Sequence, residues 1–244
     1  MVYVLLTVAT LLTSLISGVL SMAGGMILMV VFGFFLSVPV AMVLHGVAQA
    51  FSNGSRVWIY RRHIRWRVLA FYTIGALAMT AVFAVFTFVP SIGLVFILIG
   101  TFPFLALAVP KSINLDMENG PVAVLSGVLV TAAQLLAGAS GPVLDIFYVQ
   151  SEMTKEQILG TKAVTQTLGH ILKLIYYGAV MAVASTALPL WVVPAVFAAA
   201  ILGNYLGSLV VARMTDNQFK QIGRYVIMVI GVVCIGKGIL ELTS

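Results

Sequence analysis

Two stretches of this 244-residue chain place polar side chains inside otherwise apolar sequence. HGVAQAFSNGSRVWIY (45–60) carries His45, Gln49, Asn53, Arg56 and Tyr60, and KAVTQTLGHILKLIYY (162–177) carries Lys162, Gln166, His170, Lys173 and Tyr177. Both sets fall at i, i+4, i+8, i+11 and i+15, which lays five residues along one side of an α-helix. Amides and cations on such a stripe can hold an anion, and an imidazole titrates near neutral pH and can carry a proton.

Two glycine-containing breaks add a second kind of site. SMAGG (21–25) and AGASGP (137–142) each precede a short apolar segment, 25–37 and 142–150. Short segments behind Gly or Pro, at matching places in two halves, mark a transporter binding site. A helix starting at Gly24–Gly25, or at Ser140, Gly141 and Pro142, would turn its free N–H groups and positive end toward the interior. Pro142 suits a first helical turn. Close helix packing explains a lone glycine such as Gly18 or Gly127, but the matched positions favour a site.

The acids settle the sign of the ligand. Asp116, Glu118, Glu152, Glu156, Asp216 and Glu241 fall in loops or at segment ends, and only Asp145 lies within an apolar segment. A cation path wants buried carboxylates, so the interior suits an anion. Gly24, Gly25, Gln49, Ser140, Gly141, Pro142, Thr161, Lys162, Gln166 and His170 are the candidate substrate-binding residues. His45, Asn53, Arg56, Asp145 and Lys173 are candidates for coupling or gating. Arg56 and Lys173 sit close enough to the segment ends to snorkel to the interfaces, which leaves Lys162 as the main interior cation. Three histidines without adjacent carboxylates make no metal set. Neither a nucleophile elbow nor a phosphate-binding loop occurs. We therefore expect no catalytic residue, metal or cofactor.

The elements that must position these residues are membrane helices. Hydrophobic residues make up 61% of the chain and charged residues 8%, with mean hydropathy +1.14, against about a quarter charged in a soluble domain. The apolar runs do not alternate as in a β-barrel. Net charge +6 reports topology more than nucleic-acid binding. The expected class is an all-α polytopic membrane protein with about 8–10 membrane segments, near 2–21, 25–37, 40–60, 67–88, 91–109, 121–138, 142–150, 157–179, 186–212 and 219–241. The opening run has no basic start and reads as a retained first span.

A shift of 117 residues lays the first polar stripe on the second, and a shift of 116 lays Gly25 on Gly141. Residues 1–110 and 121–244 then form two repeats within one membrane domain, joined by a linker at 111–120. YRRHIRWR (60–67) is the most basic stretch and belongs in the cytoplasm, together with the loops holding Lys111, Lys155, and Arg213 with Lys220. The opposite loops, near 38–40, 89–91 and 180–186, contain neither Lys nor Arg. The counterpart of the basic run, YGAVMAVA (177–184), is uncharged. Inverted-topology repeats, each with a broken or re-entrant helix and both termini outside, predict that asymmetry.

At these residues the chain resembles the sulfite exporter TauE/SafE (TSUP) family of membrane permeases. The matching stretches are SGVLSMAGGMILMV (17–30), VPVAMVLHGVAQAFSN (38–53), the basic loop with Trp66, AGASGPVLDIFYV (137–149) and ILGTKAVTQTLGHILKLIYYG (158–178). The resemblance implies a multi-pass secondary carrier, often an exporter, of sulfite or organosulfonates in the inner membrane. It points to Gly24, Gly25, Gly141 and Pro142 at the breaks and to Gln49, Thr161, Lys162, Gln166 and His170 on the polar helices. Both breaks are poorer in glycine than in typical members, which bears on the shape of the pocket. The expected partners are a small anion and lipid, with no nucleic acid; the sequence leaves the oligomeric state open, a homodimer being one option. An anion channel using the same residues is the alternative, and an intramembrane enzyme pairing Asp145 with His45 or His170 ranks behind both.

Overall fold

The computed structural model describes residues 2–20, 23–110, 113, 115–149, 151–180, 189–211 and 216–243. Lys111, Arg213 and most of the 180–186 loop, which enter the charge argument above, lie outside the described residues. The described residues form ten α-helices: α1 (Val2–Leu20), α2 (Ala23–Phe35), α3 (Val38–Tyr60), α4 (Trp66–Phe86), α5 (Ile92–Ala108), α6 (Gly120–Ala137), α7 (Gly141–Ile146), α8 (Lys155–Ile175), α9 (Val192–Val211) and α10 (Asp216–Thr243). The ends follow local chemistry. Ser91 accepts the Leu94 N–H ahead of α5. Thr154 and Gln157 form a reciprocal capping box that starts α8. Gly138 ends α6 at φ +74°, a backbone state that costs glycine little.

Burial is inverted relative to a soluble protein. Val85 and Leu190 are 77% and 95% exposed, while His45, Gln49 and Lys173 are buried. Such a surface is stable only against lipid. By length and composition, Trp66–Phe86, Gly120–Ala137 and Tyr225–Thr243 could each cross a membrane. Val2–Ser17, Ala23–Phe35, Ile92–Ala108 and Val192–Gly207 are apolar but shorter. The long helices α3 and α8 carry the polar stripes on one side and apolar residues on the other.

Helix pairing is regular. α1 packs on α9 and α6 on α4; α2 meets α10 and α7 meets α5. Tyr3 meets Trp191 edge-on, and a Cβ on Gly203 would lie 2.3 Å from the Leu11 carbonyl, so α1 and α9 run parallel. Arg65 bridges to Glu118 just ahead of α4 and α6, and Gly75 abuts Val124, so these two are parallel as well. α5 and α10 cross in opposite directions, with Gly93 against Gly238 and Gly100 against Gly231. α3 and α8 also run antiparallel, since His45 meets Lys173 while Tyr60 meets Gly160.

One element is shorter than its sequence implies. The break before 142–150 predicts a half-helix there, yet α7 spans only six residues. The Phe147 N–H turns back to Leu144 and the Tyr148 N–H to Asp145, and these i→i−3 bonds tighten the chain into a turn. A helix this brief has little macrodipole to offer an anion.

Candidate functional site

The antiparallel pair α3–α8 brings the two polar stripes face to face, and the glycine breaks close the space beside them. The result is a narrow cavity of about 20 Å³, lined by Gly25, Met26, His45, Gln49, Gln134, Ala139, Ser140, Gly141, Gln166 and His170. That is room for about one water, so a larger ligand enters only as the helices around it part.

Two hydrogen-bond networks build its walls. Lys173 Nζ lies 2.8 Å from His45 Nδ1 and donates to the Gly138 carbonyl at 3.0 Å. With Lys173 as the donor to Nδ1 of His45, the imidazole proton sits on Nε2. That N–H donates to the Gly25 carbonyl at 2.9 Å. The chain Gly138–Lys173–His45–Gly25 thus ties the first glycine break to the second. On the other wall, Gln134 Nε2 donates to the Gly138 carbonyl (3.0 Å) and to His170 Nδ1 (2.8 Å), while Ser140 Oγ donates to Gln134 Oε1 (2.6 Å). Both amide hydrogens are used, so Nε2 of His170 keeps its proton for the cavity.

Gln49 lies over Gly25, where an added Cβ would approach its amide to 3.3 Å. The Gln49 Nε2 is buried and has no hydrogen-bond partner. A buried orphan donor is costly unless something in the cavity accepts from it.

Lys173 corrects the expectation that it snorkels outward. It is fully buried, and the Gly138 carbonyl at the C-terminal end of α6 accepts from it, where a cation is favoured. Tyr177 assists by donating to the Leu135 carbonyl at 2.6 Å. Among the described residues Lys173 is the one Lys, Arg, Asp or Glu in the buried class, and it has no carboxylate partner. Arg56 likewise turns inward: its Nη2 donates to the Ser17 carbonyl near the end of α1 at 2.7 Å and lies 3.3 Å from Asn204 Oδ1.

The remaining expectations separate clearly. Gly25, His45, Gln49, Ser140, Gly141, Gln166 and His170 meet at the cavity. Lys162 does not line it, and pairs instead with the Asp145 carboxylate. Thr161 accepts the Arg65 backbone N–H at 3.0 Å, at the basic-loop end of α8. Gly24 packs on α1, where a Cβ would lie 2.0 Å from the Thr13 carbonyl. Pro142 sits in the first turn of α7, and Asn53 donates to the Gln49 carbonyl of its own helix. Sequence reasoning missed Gln134, Met26 and Ala139. The signal for Gln134 was there: an amide in an apolar segment, four residues before a glycine break.

The sequence profile of the sulfite exporter TauE/SafE family matches residues 6–234, nearly the whole chain. The chain belongs to that family. It is therefore a membrane protein of a transporter family whose name denotes sulfite export. No curated protein and no solved structure matches it.

Proposed function

We propose that this TauE/SafE member is a secondary carrier that exports small sulfur-containing anions, sulfite or organosulfonates, through the cavity between α2, α3, α6, α7 and α8. The observation that carries the reading is Lys173, a buried cation with no carboxylate partner, one hydrogen bond behind a cavity lined by neutral donors. A buried charge without a counter-ion is expensive, and an anion in the cavity supplies the missing charge. Gln49 Nε2, His170 Nε2–H, Gln166 and the backbone at the start of α2 would hold it once the lining has parted. Lys162 stands aside, already neutralised by Asp145.

Alternating access follows if residues 1–110 and 121–244 are inverted repeats joined at 111–120. Three findings support this: α3 opposes α8, α5 opposes α10, and the pairing of α1 with α9 is matched by that of α6 with α4. Both termini then lie outside and the 60–67 loop in the cytoplasm. The test is binding and flux with purified protein. Sulfite and a small sulfonate should raise the thermal midpoint by mass action and exchange across proteoliposomes, with acetate doing neither. A shift with acetate alone would overturn the substrate class, and single-channel currents would replace the carrier by a channel.

A further inference from the structure

Behind the cavity, between α4, α6, α7 and α8, lies a row of polar groups that anion binding leaves unused. The hydroxyls of Tyr72 (α4), Thr131 (α6) and Tyr148 (just after α7) are buried. Tyr72 faces Thr131, and Tyr148 faces Thr165 on α8. The row touches the cavity at one end. A Cβ on Gly169 would lie 3.8 Å from Gln134 Cγ and 4.0 Å from the Tyr72 hydroxyl, so Tyr72 stands directly behind the Gln134–His170 bond. At the other end Tyr148 lies near Asp145. The side chains of Asp145 and its partner Lys162 are 28% and 13% exposed, so the pair reaches the surface.

Both tyrosines sit in an otherwise apolar cluster with Val68, Met117, Phe147 and Leu172. Phenylalanine would pack there as well, without burying a hydroxyl. Repeat architecture does not account for them. The 117-residue shift places Pro189 opposite Tyr72, and the 116-residue shift that aligns the breaks places Phe32 and Met29 opposite Tyr148 and Asp145, so the first half has neither the tyrosines nor the acid, although it buries hydroxyls of its own at Ser14 and Ser52. A hydroxyl accepts on its lone pairs while donating its own hydrogen. Linked by water, a row of hydroxyls passes a proton onward without ionising.

We propose that this row is a proton path from the Asp145–Lys162 pair to the anion cavity, coupling anion movement to a proton. The proposal rests on the carrier reading above. A proton enters from bulk water beside the Asp145–Lys162 pair, the hydroxyls hand it on, and the sulfite in the cavity accepts it. The ionisable groups around the path are Asp145, Lys162, Arg65 and Glu118 at its mouth, Tyr148 and Tyr72 along it, and His170, His45 and Lys173 at the cavity. Neither α5 nor α6 adds an ionisable side chain.

Tyr72→Phe and Tyr148→Phe, singly and together, remove only two hydroxyl oxygens from an apolar cluster, so the purified variants should fold with a thermal midpoint close to that of the native chain. Two fluxes of radiolabelled sulfite in proteoliposomes then separate the roles: accumulation driven by an imposed pH gradient, and exchange at equal pH on both sides, which needs no net proton movement. The double variant should lose accumulation about tenfold while exchange stays within about twofold. Undiminished accumulation in the double variant, or native accumulation indifferent to the gradient, would refute the path while leaving the carrier intact. Loss of both fluxes in folded protein would assign the tyrosines to the anion route and refute it too. Absence of exchange in the native chain would overturn the carrier reading, and the path with it.

Discussion

Replacing Lys173 by Met keeps the length of the side chain and removes its charge, which makes it the sharpest perturbation of the site. Lys173 Nζ lies 2.8 Å from His45 Nδ1. With an imidazole in between, an anion on the lining rests roughly 7 Å from the ammonium, where Coulomb's law at an effective dielectric of about 20 gives about 2.4 kcal/mol. That corresponds to a roughly sixty-fold weaker Kd. Were the charge screened as in bulk water, the same distance would be worth about 0.6 kcal/mol, less than threefold. Calorimetric titration of sulfite into the purified variant distinguishes the two. Stability moves differently. The change leaves His45 Nδ1 unpaired, at about 1–3 kcal/mol, but also removes a desolvated charge that itself costs several. The Gly138 carbonyl keeps Gln134 as donor. The thermal midpoint should therefore hold or rise. A Kd within threefold of the native value, or intact binding with a collapsed midpoint, would refute the assignment and leave Lys173 as a helix cap only.

Gly24→Ala should destabilise severely, by more than about 3 kcal/mol, because its Cβ would meet the Thr13 carbonyl at 2.0 Å and overpacked backbone cannot yield; the yield of folded protein in detergent reports it. Gly25→Ala meets only the Gln49 amide at 3.3 Å, so it should fold while anion affinity falls several-fold as that amide is displaced. Lys162→Met should change sulfite affinity by less than about threefold, since Asp145 already neutralises the charge and the pair lies outside the cavity; a loss comparable to that of Lys173→Met would return Lys162 to the site. Gly127→Ala should unseat α6 from α4, where its Cβ would lie 2.1 Å from the Tyr72 carbonyl, lowering the thermal midpoint with no change in the affinity of the fraction that folds.

Much of the architecture was legible in sequence because it rests on periodic, local signals. Long apolar runs, Gly and Pro breaks and the i, i+4, i+8, i+11 stripes fix where helices start and which side is polar. The segment boundaries expected from the sequence lie within a few residues of most of the helix ends. The membrane class needed only hydropathy, and the family followed from motifs at the breaks. Gln49, Gln166, His170 and the two histidine-bearing stripes could be named as candidates because polar side chains in lipid-facing sequence are costly and stand out.

Only the tertiary structure decided what each cation touches. Lys162 and Lys173 occupy one helix, and each lies only a turn or two inside an end of the expected segment 157–179, so hydropathy does not separate them. Their roles depend on what other helices bring near: the Asp145 carboxylate from α7 for Lys162, and the Gly138 carbonyl of α6 with His45 of α3 for Lys173. The same holds for the buried hydroxyls of Tyr72 and Tyr148, unremarkable in sequence because tyrosine is common in membrane helices. Sequence carries the free energy of placing a side chain in a helix and in lipid. The pairing energy of a buried charge or hydroxyl belongs to contacts dozens of residues apart, and these exist only once the two halves have packed.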